Sequence, residues 1–168
     1  MNSIFTRRSI RRYTDEYVAD EKIEKILRAG MQSPSAASQK PWEFLVIRDK
    51  DRLQQLSRMN PYASSIASSS ATIIIFGNTD RMILPPYWQQ DLGACTQNML
   101  LEVTELGLGS VWIGLAPDEK YLNFVNEMFD VPSNMKAYSI IPIGYPAENQ
   151  SNKFVDRYDE SRIHKETF

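Results

Sequence analysis

The amino-terminal segment Arg7-Arg8-Ser9-Ile10-Arg11-Arg12 carries the side chains best suited to chemistry. Four guanidinium groups and one hydroxyl fall within six residues of an otherwise balanced chain. Arginine is permanently charged and donates paired hydrogen bonds that match phosphate oxygens, and a serine hydroxyl can complete the donor set. The segment therefore indicates an anion site with phosphate as a candidate ligand. A solvated basic surface or a nonspecific contact with nucleic acid is an equally open interpretation.

Other catalytic patterns are weak in this chain. Cys95 is the single cysteine and His164 the single histidine, so the two types supply neither an intrachain disulfide nor a zinc site. Cys95 falls on an apolar helix, where an inert thiol is favoured over a nucleophile paired with His164. There is no Walker A sequence, and Gly107-Leu108-Gly109 is followed by Trp112 instead of the third glycine of a dinucleotide site. Hydrolysis by a carboxylate pair stays open, although no Asp or Glu pair stands out. The side chains favour a protein whose chemistry is carried by a bound cofactor.

Hydrophobic periodicity predicts the elements that position these residues. A helix begins at Asp20 as its N-cap and ends near Gly30. Small and polar residues from Ser33 to Ser38 indicate a loop that is a candidate ligand contact. Further helices are predicted over 49–59, 88–106 and 117–129, and strands over 44–47, 71–76, 111–113 and 138–143. The 88–106 helix is apolar over a wide arc, so we expect it in a core or an interface. The fold class is α/β or α+β, with four or five strands.

Length and charge limit the classes of protein. The 168 residues predict a single domain, and 19 Lys and Arg against 21 Asp and Glu give no general attraction to nucleic acid or to an anionic membrane. The amino terminus lacks the apolar stretch of a signal peptide, and no segment reaches the ~18 apolar residues of a membrane span. We expect a cytoplasmic protein without nucleic-acid or membrane partners. The polar tail, residues 146–168, has no clear period, and a second subunit could supply the surface along which it lies.

Five motifs, in one order along the chain, resemble the nitroreductase-like FMN-dependent oxidoreductases. They are R-R-S-I-R-x-Y at 7–13, P-S-A at 34–36 with P-W at 41–42, Q-D-x-G-A at 90–94 with Q-N at 97–98, G-L-G-S-x-W-I-G at 107–114, and I-G-Y-P-A-E at 143–148. The resemblance implies an α+β fold with a central, mostly antiparallel sheet flanked by helices. It also implies a homodimer with two FMN sites at its interface, and a tail that crosses onto the partner.

The resemblance assigns roles to particular residues. Arg7, Arg8, Ser9 and Arg11 correspond to the residues that hold the FMN phosphate, ribityl chain and pyrimidine edge, and Arg157 to a basic tail residue of the phosphate shell. Pro34, Ser35, Ala36 and Ser38 correspond to the loop that lines the flavin from the other subunit. Ile113 and Gly114 correspond to the backbone that passes the reactive N5 atom. Trp112 is interpreted as packing, and Gly114 as allowing close approach.

Two positions of the loop depart from the family pattern. Ser38 stands where the family usually has Asn, and Lys40 where it usually has Gln. These replacements affect the polar contacts that this loop could make with the flavin or the substrate.

The implied activity is hydride transfer through FMN. NADH or NADPH would reduce the flavin and leave, and a small acceptor such as a nitroaromatic or quinone would be reduced in the same slot by ping-pong kinetics. No protein side chain is assigned a catalytic role and no metal is expected. One alternative is another flavin reaction of the family, such as dehalogenation, ring oxidation or flavin breakdown. The other alternative is a non-enzymatic, anion-binding interaction protein.

Overall fold

An antiparallel sheet of five strands lies at the centre of the fold, and the computed structural model describes residues 3–168. The strands are β1 (Trp42–Ile47), β2 (Ala71–Asn78), β3 (Gly109–Ser110), β4 (Ile113–Gly114) and β5 (Met135–Gly144). They are ordered β1-β2-β5-β3, and β4 also pairs with β5. Every pair of strands is antiparallel. The α+β class with a central antiparallel sheet is confirmed.

The middle of the sheet is apolar on both faces. All eight residues of β2 are buried, as expected for the β-branched run Thr72-Ile73-Ile74-Ile75 between two neighbouring strands. Ile73 and Ile75 contribute to the apolar cluster on one face, and Ile74 to the cluster on the other. This alternation follows from the two-residue period of a strand. Helices can therefore pack on both sides of the sheet.

Five helices surround the sheet. They are α1 (Ser3–Thr6), α2 (Asp20–Met31), α3 (Lys50–Leu56), α4 (Trp88–Glu105) and α5 (Glu119–Phe129). Residues of α2 and α4 belong to the first apolar cluster, and residues of α3 and α5 to the second. The prediction that α4 is buried is confirmed, because Leu92, Cys95, Met99 and Val103 are fully buried. None of the helices within residues 3–168 has the length and apolar character needed to cross a bilayer.

The predicted strand over 111–113 is correct only at Ile113, which begins β4. Val111 and Trp112 instead connect β3 to β4, and the side chain of Trp112 is 36% exposed. The register of the flanking strands would place Val111 opposite Pro142. Pro142 has no N–H, and its carbonyl on this side already accepts a hydrogen bond from the Tyr13 hydroxyl at 3.3 Å. The ladder is therefore interrupted at this point.

Three helix boundaries also differ from the predictions. Ala19, and not Asp20, is the N-cap of α2, and Asp20 instead binds the guanidinium of Arg48 at 2.7 Å. The predicted helix over 49–59 ends at Leu56, because the chain then turns into a 3-10 segment, Pro61–Ser68. Helix α5 begins two residues after Pro117, since the Asp118 carboxylate accepts from Lys120 N and fixes the start of the helix.

The tail is exposed along its length. Residues 153–168 are all exposed in the single chain, and they include Phe154 at 62%, Tyr158 at 72% and Ile163 at 50%. Large apolar side chains grouped in this way are uncommon on a finished protein surface. The prediction that the tail packs on a second subunit is consistent with this exposure.

Candidate active site

The arginine segment, residues 7–13, lies against one end of the sheet. Ser9 forms a parallel bridge with Ser110 of β3, and Tyr13 forms an antiparallel bridge with Pro146 after β5. Ile10 N donates to Ser110 O at 2.9 Å. The side chains of Ile10 and Tyr13 are buried, whereas Ser9 and Arg11 are exposed. The segment is thus held by its backbone and its apolar residues, which leaves the polar ones facing outward.

Two glycines allow the arginine segment to approach the sheet. A Cβ atom at Gly109 would lie 2.6 Å from the side chain of Ile10, and a Cβ atom at Gly144 would lie 2.7 Å from Cβ of Tyr13. Both distances are shorter than side-chain packing permits, so larger residues at either position would displace the segment. The backbone position of the arginines therefore depends on these two glycines.

Three arginines and the tail enclose a cavity of about 340 Å³ that we call the arginine cavity. It is lined by Ile4, Phe5, Arg7, Arg8, Phe154, Val155, Asp156, Arg157 and Tyr158. The rings of Phe5 and Phe154 lie 6.2 Å apart, centroid to centroid. The structure thus brings together Arg7, Arg8 and Arg157, which the sequence assigned to one phosphate shell from opposite ends of the chain.

The arginines of this cavity are paired with no carboxylate among residues 3–168, although the Arg8 guanidinium donates to the main-chain carbonyls of Arg7 and Phe5. Burial lowers the pKa of Arg7, and the neighbouring positive charges of Arg8 and Arg157 lower that pKa further. Within residues 3–168 none of the three guanidinium groups forms an ion pair with a carboxylate, although Asp156 also lines the cavity. Buried Nε of Arg8 has no hydrogen-bond partner among the described residues. An anion with several acceptor oxygens, such as a phosphate ester, fits this donor set.

A second cavity of about 260 Å³, which we call the Gly114 cavity, contains three further candidates, Arg11, Ile113 and Gly114, whereas Ser9 lines neither cavity. It is lined by Arg11, Asn60, Tyr62, Val111, Trp112, Ile113, Gly114 and Tyr121. A Cβ atom at Gly114 would meet nothing within 4 Å, and its φ lies outside the left-handed region. The folded chain itself does not require glycine here. A flat ligand approaching the backbone would require it.

Residues 34–40, which we call the flavin loop, line neither of these two cavities. Ala37, Ser38 and Lys40 have φ angles of 48°, 55° and 46°, a conformation that residues other than glycine rarely adopt. Lys40 N donates to Ser35 Oγ at 3.0 Å. Strain of this kind persists only where surrounding contacts impose it.

The buried carboxylate of Asp91, from outside the flavin loop, and the buried amide of Gln39, within it, hold the loop in this shape. The Asp91 carboxylate, on the first turn of α4, accepts from Ala36 N at 2.8 Å and from the Gln39 amide. Asp91 and Gln39 are 4% and 6% exposed. Buried contacts thus fix the strained backbone, while Pro34, Ala37 and Ser38 are exposed.

Sequence reasoning missed several residues of the site. Asn152 Oδ1 accepts from Arg8 N at 3.0 Å, and Gln150 Oε1 accepts from Arg11 N at 3.2 Å, so the start of the tail holds the arginine segment. Asn60, Tyr62 and Tyr121 line the Gly114 cavity. Each of these residues is isolated within a polar or helical stretch, and none belongs to a motif with a recognisable spacing. Only the unassigned Asn-Pro-Tyr helix start at residue 60 is locally distinctive.

The remaining nucleophile candidate is inert. Cys95 is fully buried on α4, and burial raises the pKa of its thiol to about 12. A thiol with that pKa carries almost no thiolate at neutral pH. Among residues 3–168, no three His, Cys, Asp or Glu side chains are grouped so that they could hold a metal ion.

The chain is similar to known proteins along nearly its whole length. The chain is 39% identical to a Methanothermobacter thermautotrophicus protein provisionally named NADH dehydrogenase/NAD(P)H nitroreductase, over 99% of this chain and 86% of the relative. It superimposes with a TM-score of 0.96 on a structure from Clostridium acetobutylicum provisionally named NADH oxidase, at 44% identity and 99% coverage of both chains. A nitroreductase-type protein from Desulfovibrio desulfuricans, solved in complex with FMN, matches with a TM-score of 0.82 and 33% identity, over 99% of this chain and 95% of that one.

The family model described as the nitroreductase family matches residues 4–72 and 71–145, which include the arginine segment, the flavin loop and Gly114. On these grounds the chain belongs to the nitroreductase family.

Proposed function

We propose that this protein is an FMN-dependent oxidoreductase that takes hydride from NADH or NADPH and reduces a nitroaromatic or quinone-like small molecule. The observation that carries the proposal is the arginine cavity, where Arg7, Arg8 and Arg157 meet without an ion-pair partner among the described residues. A phosphate monoester supplies up to two negative charges and several acceptor oxygens. FMN has such a phosphate at one end and a flat ring system at the other.

The names of the relatives support the cofactor and the donor. The Desulfovibrio desulfuricans structure is a complex with FMN. A Bacillus subtilis relative at 25% identity is named FMN reductase [NAD(P)H]. The archaeal relative carries both NADH dehydrogenase and NAD(P)H nitroreductase in its provisional name. The Bacillus subtilis name alone joins the flavin to the nicotinamide, whereas the structure supports FMN and the archaeal name supports the nicotinamide donor.

The residues of this chain bind and orient the cofactor. Arg7, Arg8 and Arg157 hold the phosphate, and Ser9 lies between that group and Arg11, which extends into the Gly114 cavity. When bound, FMN supplies the hydride-accepting and hydride-donating centre. Ile113 and Gly114 would present their backbone to the flavin, and the absence of a side chain at Gly114 would leave room for a flat ring. The protein contributes position and electrostatics, and no acid or base of its own is needed.

The site is completed by a second copy of the chain. Pro34, Ser35, Ala36 and Ser38 lie outside both cavities of their own chain, although their backbone is rigidly shaped and partly exposed. The exposed apolar residues of the tail also lack a covering surface within one chain. A homodimer in which the flavin loop faces the partner's Gly114 cavity satisfies both features.

The absorbance spectrum of the purified protein tests the function. We expect flavin bands that bleach when NADH or NADPH is added without oxygen, and that return when 1,4-benzoquinone or nitrobenzene is added. Bands that do not bleach with either nicotinamide would retain the FMN site and contradict the reductase activity. A colourless protein that binds no FMN after incubation would overturn the proposal.

Replacement of Gly114 by alanine separates ligand approach from folding. Because a Cβ atom there meets no protein atom within 4 Å, Gly114→Ala should leave the free energy of unfolding unchanged within about 0.5 kcal/mol. The Kd for FMN should rise about tenfold, because the added methyl group stands where the ring approaches. Fluorescence titration with FMN and urea unfolding measure the two quantities.

The matched control is Gly144→Ala. Its Cβ would lie 2.7 Å from Cβ of Tyr13, so this variant should lose roughly 1–3 kcal/mol of stability. If Gly114→Ala binds FMN as tightly as the native protein, the flavin ring does not lie against Gly114.

A further inference from the structure

A third cavity, of about 430 Å³, lies between α3 and α5 and contains no residue of the arginine cavity, the Gly114 cavity or the flavin loop. It is lined by Gln55, Arg58, Phe124, Glu127 and Met128, and we call it the α5 groove. Residues 55 and 58 belong to the end of α3 and the turn after it, whereas the other three belong to α5. The groove therefore follows the contact between these two elements.

Helix α5 connects the α5 groove to the Gly114 cavity. Tyr121 lines the Gly114 cavity, and Phe124 and Met128 line the α5 groove. The three residues have the i, i+3, i+7 spacing of one helix face, and all of them pack against the second apolar cluster. From Tyr121 to Met128 the helix rises roughly 10 Å, at about 1.5 Å per residue. The two cavities therefore succeed one another along α5.

The wall opposite α5 shows the same succession. Asn60 and Tyr62 line the Gly114 cavity, whereas Arg58 and Gln55 line the α5 groove. Along the chain Arg58 is closer to Asn60 than Gln55 is, and on α5 Glu127 lies at the end that is farther from the Gly114 cavity. The order of groups is thus a cavity with room for a flat ring, then a guanidinium, and then a carboxylate.

The charged groups of the α5 groove are available to a ligand. Arg58 and Glu127 are exposed, and neither forms an ion pair with any residue among 3–168. A guanidinium binds phosphate oxygens in pairs, and a carboxylate accepts hydrogen bonds from the hydroxyls of a ribose. The half-buried side chains of Phe124 and Met128 offer apolar surface to an adenine ring. These groups together suit a nucleoside diphosphate.

A nicotinamide dinucleotide has its groups in the same linear order. With the nicotinamide ring at the Gly114 cavity, the pyrophosphate follows at Arg58 and the adenosine at Glu127 and Met128. The carboxylate distinguishes the two donors, because the 2′-hydroxyl of NADH donates a hydrogen bond to it. The 2′-phosphate of NADPH would instead place a second negative charge against Glu127.

We propose that the α5 groove binds the adenosine diphosphate half of the nicotinamide donor, with Arg58 at the pyrophosphate and Glu127 at the adenosine ribose, and that Glu127 selects NADH over NADPH. The inference rests on the proposed function, because the donor is needed only if the protein reduces a bound flavin. It goes further in assigning a site to the donor and in choosing between the two donors.

Glu127→Gln tests the choice of donor. The dependence of anaerobic flavin bleaching on donor concentration gives a Kd for each nicotinamide. In the native holoenzyme the Kd for NADPH should be about tenfold higher than the Kd for NADH, because like charges repel at Glu127. Glutamine keeps the shape of the side chain without its charge, so the two Kd values should come within about threefold of each other.

Arg58→Gln tests the pyrophosphate contact. Both donors contain the pyrophosphate, so both Kd values should rise about fivefold while their ratio is unchanged. The Kd for FMN should stay at its native value in both variants, because neither residue lines the arginine cavity or the Gly114 cavity.

Arg52→Gln and Glu21→Gln are the matched controls. Arg52 is an exposed arginine of α3 whose guanidinium lies over the Phe129 ring, outside the groove. Glu21 is exposed on α2, which packs against the first apolar cluster and not the second. Since surface charges at a distance are screened by salt, both controls should leave the donor Kd values within about twofold of native.

ADP-ribose provides a readout that does not depend on hydride transfer, because it contains the adenosine and both phosphates but no nicotinamide. Calorimetric titration of the oxidised holoenzyme should give a Kd about fivefold higher in Arg58→Gln than in Arg52→Gln. ADP-ribose that carries a 2′-phosphate should bind the native protein about tenfold more weakly than ADP-ribose, and Glu127→Gln should reduce this difference to about threefold.

The possible results separate this inference from the proposed function. Equal donor and ADP-ribose Kd values for Arg58→Gln and Arg52→Gln, in protein that holds FMN and is bleached by a nicotinamide, would overturn the inference and leave the proposed function intact. A native Kd for NADPH that is equal to or below the Kd for NADH would also overturn it. A holoenzyme that neither nicotinamide bleaches would overturn both.

Discussion

Residues 7–13 are positioned by main-chain bridges to Ser110 and Pro146, whereas residues 34–40 are positioned by the buried side chains of Asp91 and Gln39. The first segment has relaxed backbone and uncompensated charge. The second has strained backbone and little charge. Under the proposed function the arginine segment would therefore provide affinity for a charged group, and its contribution should depend on salt. The flavin loop provides a fixed shape, and its contribution should depend on the hydrogen bonds behind it.

The largest effect is expected for Asp91→Ala, which tests whether the flavin loop depends on the side chain behind it. The change removes the acceptor of both Ala36 N and the Gln39 amide and leaves these donors buried. The free energy of unfolding, measured in urea, should fall by about 3 kcal/mol. Asp15→Ala, at an exposed position, should change it by less than about 0.5 kcal/mol. Equal urea midpoints for the two variants would show that the flavin loop does not depend on Asp91.

A smaller effect, on binding instead of stability, is expected for Arg7→Gln. Arg7 lines the arginine cavity, and its pKa is lowered by burial and by Arg8 and Arg157. Removing its charge should weaken the binding of FMN by about 2 kcal/mol, which raises the Kd roughly 30-fold. It should also make this Kd less sensitive to the NaCl concentration. The control Arg12→Gln lies in the same segment but outside the cavity. If both variants gave the same Kd and salt dependence, Arg7 would act only through the net positive charge of the segment and not through a contact in the cavity.

The smallest effect is expected for Ala37→Gly. Glycine removes the cost of the left-handed φ of 48° at this position, roughly 1 kcal/mol, but loses a similar amount of entropy on folding. The free energy of unfolding should therefore change by less than about 0.5 kcal/mol. Ala94→Gly, in the middle of α4, should cost about 1 kcal/mol because there is no strain to relieve. A comparable loss at both positions would mean that the flavin loop is not strained.

Features with a strong local signal could be predicted from the sequence. The arginine cluster departs from the balanced charge of the chain, and the Ile73-Ile74-Ile75 run has the composition of a central strand. Helix α4 was found because its apolar residues keep helical spacing over 18 residues. Only the family resemblance predicted that Arg157 lies near Arg7 and Arg8. Local sequence patterns do not indicate contacts between residues that are far apart in the chain.

Features that depend on tertiary contacts could not be predicted. Gln39 is one amide in a polar loop, and only the fold shows that it is buried between Leu84 and Asp91. Trp112 stands in an apolar triplet that suggests a strand, but Pro142 on the neighbouring strand interrupts the ladder there. Boundaries such as the start of α5 depend on which carboxylate caps the helix, and Pro117 and Asp118 are both plausible from composition alone.

Strand β5 has a consequence for how the protein is made. It pairs with β2, β3 and β4, and the bridges of the arginine segment reach Ser110 and Pro146. Ribosomes add roughly 5–20 residues per second. The interval between synthesis of the arginine segment and synthesis of Ser110 and Pro146 is therefore on the order of 5 to 30 seconds. Neither the complete sheet nor the bridge between Tyr13 and Pro146 can form on a nascent chain before β5 and Pro146 have been translated. Until then the chain can form only its earlier helices and the pairing of β1 with β2, so the proposed FMN phosphate site is assembled late in synthesis.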